Sequence, residues 1–239
     1  MINFFLIGTC RIHRPFGCDT AQKNPLHFNN YEALNLLGKY SFLGYFYNLK
    51  EIKQLIDILL NNYWPDMTND IIETVINPKF LDPIDLNRQI ETTREMFRFA
   101  QVVVMEISTS KNNPTIVHNH AVHFYEPGLP EGELEIISEQ EYGEIFNYLI
   151  KTLTALNKKV LFVSHFNHGN IPSRQFIIDM CEKYLDKEVF FNPTKTVLHD
   201  LPNSLVDMAH YSKRGERMIM NEIHLKIQPF FEKEERTET

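Results

Sequence analysis

The chain has little cysteine, no excess of positive charge and no long apolar run, and each shortage removes a class of protein. Three cysteines in 239 residues, Cys10, Cys18 and Cys181, are too few and too odd in number for a disulfide framework. They point to a reducing compartment, and so to the cytoplasm. A formal net charge of −7 argues against a protein that coats nucleic acid or an anionic membrane, although a local basic pocket remains compatible with it. No stretch approaches the ~18 apolar residues of a membrane span. The opening MINFFLIGTC has no positive n-region, and its apolar run stops at Gly8, short of the about seven to fifteen residues of a secretory core. It reads as the first strand of a fold. Internal repeats and low-complexity tracts are also missing. The composition is 43% apolar and 23% charged, that of a globular protein with enough length to bury a sizeable core.

Three short apolar runs without polar alternation, FFLIG (4–8), QVVVMEIS (101–108) and KVLFVSH (159–165), have the character of strands covered on both faces. Helical patterns lie between them. Residues 48–62 carry an apolar stripe from Leu49 to Leu60, 85–100 lead into the second strand, and 138–157 open with Ser138 and Glu141 at capping-box spacing and lead into the third. Ser173 is placed to cap a helix SRQFIIDMCEKYL, and 213–227 form a C-terminal helix with Gly215 as a weak spot near its start. This alternation predicts one α/β domain over 1–239, a three-layer sandwich with a mostly parallel central sheet. Residues 115–137 break the rhythm and are expected to form an inserted hairpin around EPGLPEGE, and 232–239 a frayed tail.

In open α/β sheets ligands sit at the carboxyl ends of the strands, and polar side chains gather there. After the first strand come Gly8, Thr9, Cys10, Arg11, His13 and Arg14; after the second, Ser108 to Asn113; after the third, His165, Asn167 and His168. Cys10 at a strand-to-helix turn is a candidate nucleophile, with a helix N-terminus and the neighbouring cations favouring its thiolate. The alternative is a small buried packing residue. Late in the chain, Asp207 and His210 stand three apart, a spacing at which a carboxylate can hold an imidazole by Nδ1–H and leave Nε2 to accept a proton. The alternative there is a capping Asp beside a surface His.

GTC (8–10) near the start and DMAH (207–210) near the end together resemble the SGNH/GDSL hydrolase superfamily, whose nucleophile block is G-D-S and whose last block is D-x-x-H. The cysteine in the serine position is similar to the branch that includes the GSCFA domain and the G-N-C enzymes of capsular polysaccharide biosynthesis. The resemblance spans nearly the whole chain and implies an SGNH/flavodoxin-like fold with a Cys10–His210–Asp207 triad. It further implies acyl transfer from an ester or thioester, with Gly44 and Asn112 in the oxyanion hole, Gly38 being the other candidate for the second-block glycine. The family's third block, G-x-N-D, is not matched: the strand ends MEISTSKNN, with Glu106 or Ser108 where the glycine belongs.

The resulting expectation is an acyl hydrolase or acyltransferase acting on a small-molecule or saccharide substrate, possible in polysaccharide biosynthesis or modification. No cofactor is required, and acyl-CoA or another acyl carrier is a possible co-substrate. Arg11, His13, Arg14, His165, Asn167 and Arg174 are the candidate substrate contacts, the arginines suiting a phosphate or carboxylate. Two rivals stand beside it: a non-catalytic carbohydrate- or nucleotide-binding module of the same fold, and a metal-dependent hydrolase built on His118, His120 and His123. Cys18 and Cys181 read as packing residues.

Overall fold

A computed structural model of the protein describes residues 2–16, 31–36, 42–60, 68–118, 121–128 and 130–235. In chain order the elements are β1 (Ile2–Ile7), α1 (Cys10–His13), β2 (Tyr31–Ala33), α2 (Leu49–Leu60), α3 (Asn69–Val75), α4 (Leu86–Phe99), β3 (Val102–Ile107), β4 (Lys111–Asn112), β5 (Ile116–His118) and β6 (Ala121–Val122). There follow β7 (Glu135–Ile136), α5 (Glu139–Ala155), β8 (Lys159–Ser164), α6 (Pro172–Tyr184), β9 (Phe190–Phe191), α7 (Thr194–His199) and α8 (Lys213–Glu235).

Five strands pair in the order β2-β1-β3-β8-β9, every neighbour parallel. Because successive side chains leave a strand on opposite faces, the apolar runs feed two cores. Phe5, Ile7, Val103, Met105 and Phe162 pack with Leu49 and Ile52 of α2, Phe97 of α4, Phe146 of α5 and Ile177 of α6. Phe4, Leu6, Val102, Val104, Leu161 and Val163 pack with Ile12 of α1, Val197 of α7 and Ile219, Ile223 and Ile227 of α8. Helices therefore cover both faces of the sheet, which accounts for strands that are apolar at nearly every position. The chain passes from β1 to β2 on one side, then returns to β3 on the other. That reversal leaves a crevice at the carboxyl ends of β1 and β3, where α/β sheets bind ligands.

The Ser138–Glu141 capping box forms at the start of α5. Four local expectations change. Helix α6 starts two residues earlier than its Ser173 cap would require, because Pro172 occupies the first helical position, where its fixed φ and missing N–H cost nothing. The insertion holds two antiparallel ladders, β4 with β7 and β5 with β6, so β5 pairs with the strand that directly follows it and not with one beyond EPGLPEGE. Helix α8 runs to Glu235, through the first half of the tail expected to fray; 236–239 lie outside the described residues. Gly215 is required by packing: a Cβ there would stand 2.0 Å from the Ser204 carbonyl oxygen. Among the described residues no helix is long and apolar enough to cross a membrane.

Candidate active site

Cys10 is the first residue of α1, directly beyond the carboxyl end of β1. The turn that carries it is built around a buried carboxylate on β3. Glu106 accepts hydrogen bonds from Thr9 N (2.8 Å) and Thr9 Oγ1 (2.7 Å) through one oxygen and pairs with Arg11 Nε (2.5 Å) through the other. Gly8 has φ +150, and a Cβ there would lie 2.6 Å from Glu106 Cβ. Glycine is thus demanded twice, by backbone conformation and by the closeness of β3. Burial alone would raise the Glu106 carboxyl, but the Arg11 guanidinium and the Thr9 hydrogen bonds outweigh it and hold the group below its ordinary range.

Cys10 itself moves the other way from the thiolate expected of it. Burial pushes its thiol up, and Glu106 adds to that against the pull of Arg11 and Arg14. Much of the positive field that the sequence promises is cancelled by Glu106, and α1 has only four residues to contribute a dipole. At neutral pH the resting group is a thiol and needs a base to become a nucleophile.

A base lies beside it. The loop between α7 and α8 brings His210 into the same shallow surface cleft as Cys10, lined also by Arg11, Arg14, Tyr211 and Glu216. Asp207 Oδ1 accepts from Ala209 N (2.7 Å) and His210 N (2.8 Å), folding the loop on itself. Both carboxylate oxygens lie 2.9 Å from His210 Nδ1. A carboxylate only accepts, so Nδ1 carries the proton and Nε2 keeps its lone pair. The His210 bond holds the Asp207 carboxyl below its ordinary range. Cys10 and His210 share the cleft without hydrogen-bonding to each other, an arrangement that a bound substrate commonly tightens.

The remaining candidates separate into those at the cleft and those spent elsewhere. Arg14 lines the cleft and has no ion-pair partner among the described residues. Gly44 (φ +115, with the Phe80 ring against its α-carbon) lies in a loop tied to the nucleophile turn, where Phe46 N donates to Gly8 O at 3.0 Å. His165 is buried at the end of β8 and donates from Nδ1 to the Phe166 carbonyl (2.8 Å). Burial, with Arg11 and Arg174 nearby, lowers its pKa to about 3, so it is neutral and has Nε2 as an acceptor.

His13 does not face the cleft. It is buried against Phe42 and Tyr45, its Nε2 is 3.4 Å from the Leu6 carbonyl, and burial lowers its pKa to about 4. Asn167 uses its amide within its own loop, donating to Gln175 and accepting from Ile171 N. Arg11 and Arg174 turn their guanidinium groups to the chain's own carbonyls. Asn112 is buried with both amide atoms unpartnered. It lines a separate, larger cavity of about 500 Å³ bordered by α2, α5 and the insertion, whose lining includes none of Cys10, Asp207 and His210. This separates it from Gly44 as an oxyanion donor. Cys181 is fully buried and is a packing residue. His123 donates from Nδ1 to the Phe124 carbonyl (3.2 Å). Cys18, Gly38 and His120 lie outside the described residues, and among those described no three His, Cys, Asp or Glu gather as metal ligands.

Glu106 and Tyr211 carry more of the site than their place in the sequence reading. The signal for Glu106 was the single charge inside VVVMEI, a strand buried at all six positions: such a group survives only with partners. Tyr211 is buried and stacks on Phe166 at 5.1 Å between ring centres, and nothing local in AHYS marks it. Comparison with protein-family models, curated proteins and solved structures gave no match to this chain.

Proposed function

We propose that the protein is a cysteine-nucleophile acyl hydrolase or acyltransferase of SGNH/flavodoxin-like architecture, with Cys10 as nucleophile, His210 as base and Asp207 as its orienting carboxylate. The single observation behind this reading is the meeting, in one cleft at the sheet's topological reversal, of a thiol and an imidazole whose Nδ1 is held by a carboxylate. The strand order, 2-1-3-4-5 when the sheet strands are counted alone, is that of flavodoxin-like sheets and supports the same architecture.

His210 Nε2 takes the Cys10 proton as Sγ attacks an ester or thioester carbonyl. The raised thiol makes this proton transfer part of the attack. The imidazolium then protonates the leaving alkoxide or thiolate, and water or an acceptor hydroxyl releases the acyl group by the reverse sequence. Backbone N–H groups of the Cys10 turn and of the Gly44 loop are the available oxyanion donors, each worth roughly 10²–10³ in turnover at such sites. The groove between Cys10 and His210 is shallow and open, so the reacting carbonyl meets the thiol at the surface, with a saccharide or acyl carrier lying outside it. Arg14 suits an anionic group on that substrate.

A second reading, a binding module of the same fold, is favoured by one observation, the unpartnered Asn112 amide beside the larger cavity. Acylation separates the two. With an activated thioester as probe, mass spectrometry of tryptic peptides is expected to find the acyl group on Cys10 before Cys18 or Cys181, and His210→Ala to slow that step about 10²–10⁴-fold. Equal rates in the two proteins would remove the enzyme reading.

A further inference from the structure

The loop that presents His210 is anchored at its base and bare at its tip. At the base Ser204 and Tyr211 are buried, Leu205 and Tyr211 form an isolated bridge, and Val206 N donates to His210 O. Asp207 gives the tip its internal shape through three bonds within the loop. Yet Val206 is 73% and Met208 45% exposed, with the Met208 methyl resting against Gly169, so little apolar packing sets where the tip stands relative to Cys10. Two guanidinium groups reach it from opposite elements. Arg11 Nη1 donates to the Ala209 carbonyl at 3.3 Å. Arg174 Nη1 donates to the Met208 carbonyl at 2.9 Å and to the Phe166 carbonyl at 3.2 Å.

We propose that Arg11 and Arg174 are positioning residues that latch the Asp207–His210 loop over Cys10, with Glu106 as the buried anchor that fixes Arg11. This deepens the acyl-transfer reading and rests on it for its catalytic meaning, while the geometry it asserts stands apart. Arg11 adjoins the nucleophile in sequence and binds the residue next to the base, so one side chain registers the two reactive groups against each other. Glu106 holds the Arg11 Nε at 2.5 Å and Thr9 on its other oxygen, which makes the nucleophile turn and the latch a single unit. The same contacts give a physical reason for a carboxylate at the end of β3, where the family pattern has glycine: Arg11 needs a buried counter-charge to stand there.

The test is cross-linking, which needs no turnover. In a Cys18→Ser background, His210→Cys places a second thiol on the loop, and a short bis-thiol reagent joins it to Cys10, the product being read by peptide mass spectrometry. Adding Arg174→Met is expected to slow that cross-link at least tenfold, with circular dichroism and melting temperature unchanged. Since Arg11→Met leaves Glu106 unpaired and risks unfolding, the paired change Arg11→Met with Glu106→Gln is the second variant, with the same expected loss. Cross-linking within twofold of the parent in either folded variant overturns the latch. If instead His210→Ala leaves Cys10 acylation unchanged while the cross-link responds as expected, the acyl-transfer reading falls and the latch stands.

Discussion

The Cys10 turn and the His210 loop meet in one cleft but are built in opposite ways. The turn is buried and over-determined: Thr9 is 3% exposed, Glu106 2%, and Glu106 ties Thr9 and Arg11 to β3 through both of its oxygens. The loop is half open, with the His210 and Asp207 side chains 41% and 54% exposed, and it takes its shape from a single carboxylate. On the acyl-transfer reading proposed above, the difference is a division of labour: a nucleophile must be presented at a fixed point, and a base must be free to pass its proton on.

Because the two regions share Arg11, the largest effect is expected where that residue is removed. Arg11→Met strands the Glu106 charge in the core, and breaking a buried pair from one side costs about 3–5 kcal/mol; chemical denaturation is expected to show a matching fall in midpoint. Acid is expected to act first through the two buried histidines. His13 and His165 have pKa values lowered to about 4 and about 3 in the fold, against 6.5 when free. Below pH 6.5 the unfolded chain takes up protons that the native one refuses, so stability present at neutral pH is lost as pH falls toward 4. Glu106, held low, contributes in the same direction below its ordinary value of 4.5. The loss between pH 6.5 and 4.5 is on the order of 2–4 kcal/mol, and His13→Asn is expected to flatten the slope of denaturation midpoint against pH. Gly8→Ala strikes the turn alone. Strain at φ +150 and a Cβ 2.6 Å from Glu106 Cβ predict about 2–3 kcal/mol, measured by the same midpoint. The smallest effect belongs to the loop tip, where Val206→Ser at an exposed position is expected to stay within about 0.5 kcal/mol. A larger change would mean that the tip is packed after all.

The same contrast explains what could be read from the sequence. Apolar runs such as VVVMEI and the Ser138–Glu141 box are local signals that name their own structure, so the α/β layers and the ends of α4 and α5 were visible in advance. GTC and DMAH marked out Cys10, Asp207 and His210 as candidates, and the structure places Cys10 and His210 on one cleft with Asp207 on the His210 ring. The partners of Arg11, His13, Asn167 and Arg174 were not. Each is set by which way a side chain leaves its element, and the choice between a substrate phosphate and a backbone carbonyl some 200 residues away has no periodicity. Asn112 shows the limit of motif transfer: an asparagine near the right strand was carried to the oxyanion hole, while the ladder of β4 with β7 takes it to another cavity.

Helix α8 has a bearing on synthesis. It supplies Ile219, Ile223 and Ile227 to the core on one face of β1 and β3, and the loop just before it carries His210. Until this segment has left the ribosome that face of the sheet stays uncovered. On the proposed reading the thiol then also lacks its imidazole, so covering the face and completing the cleft happen in one event.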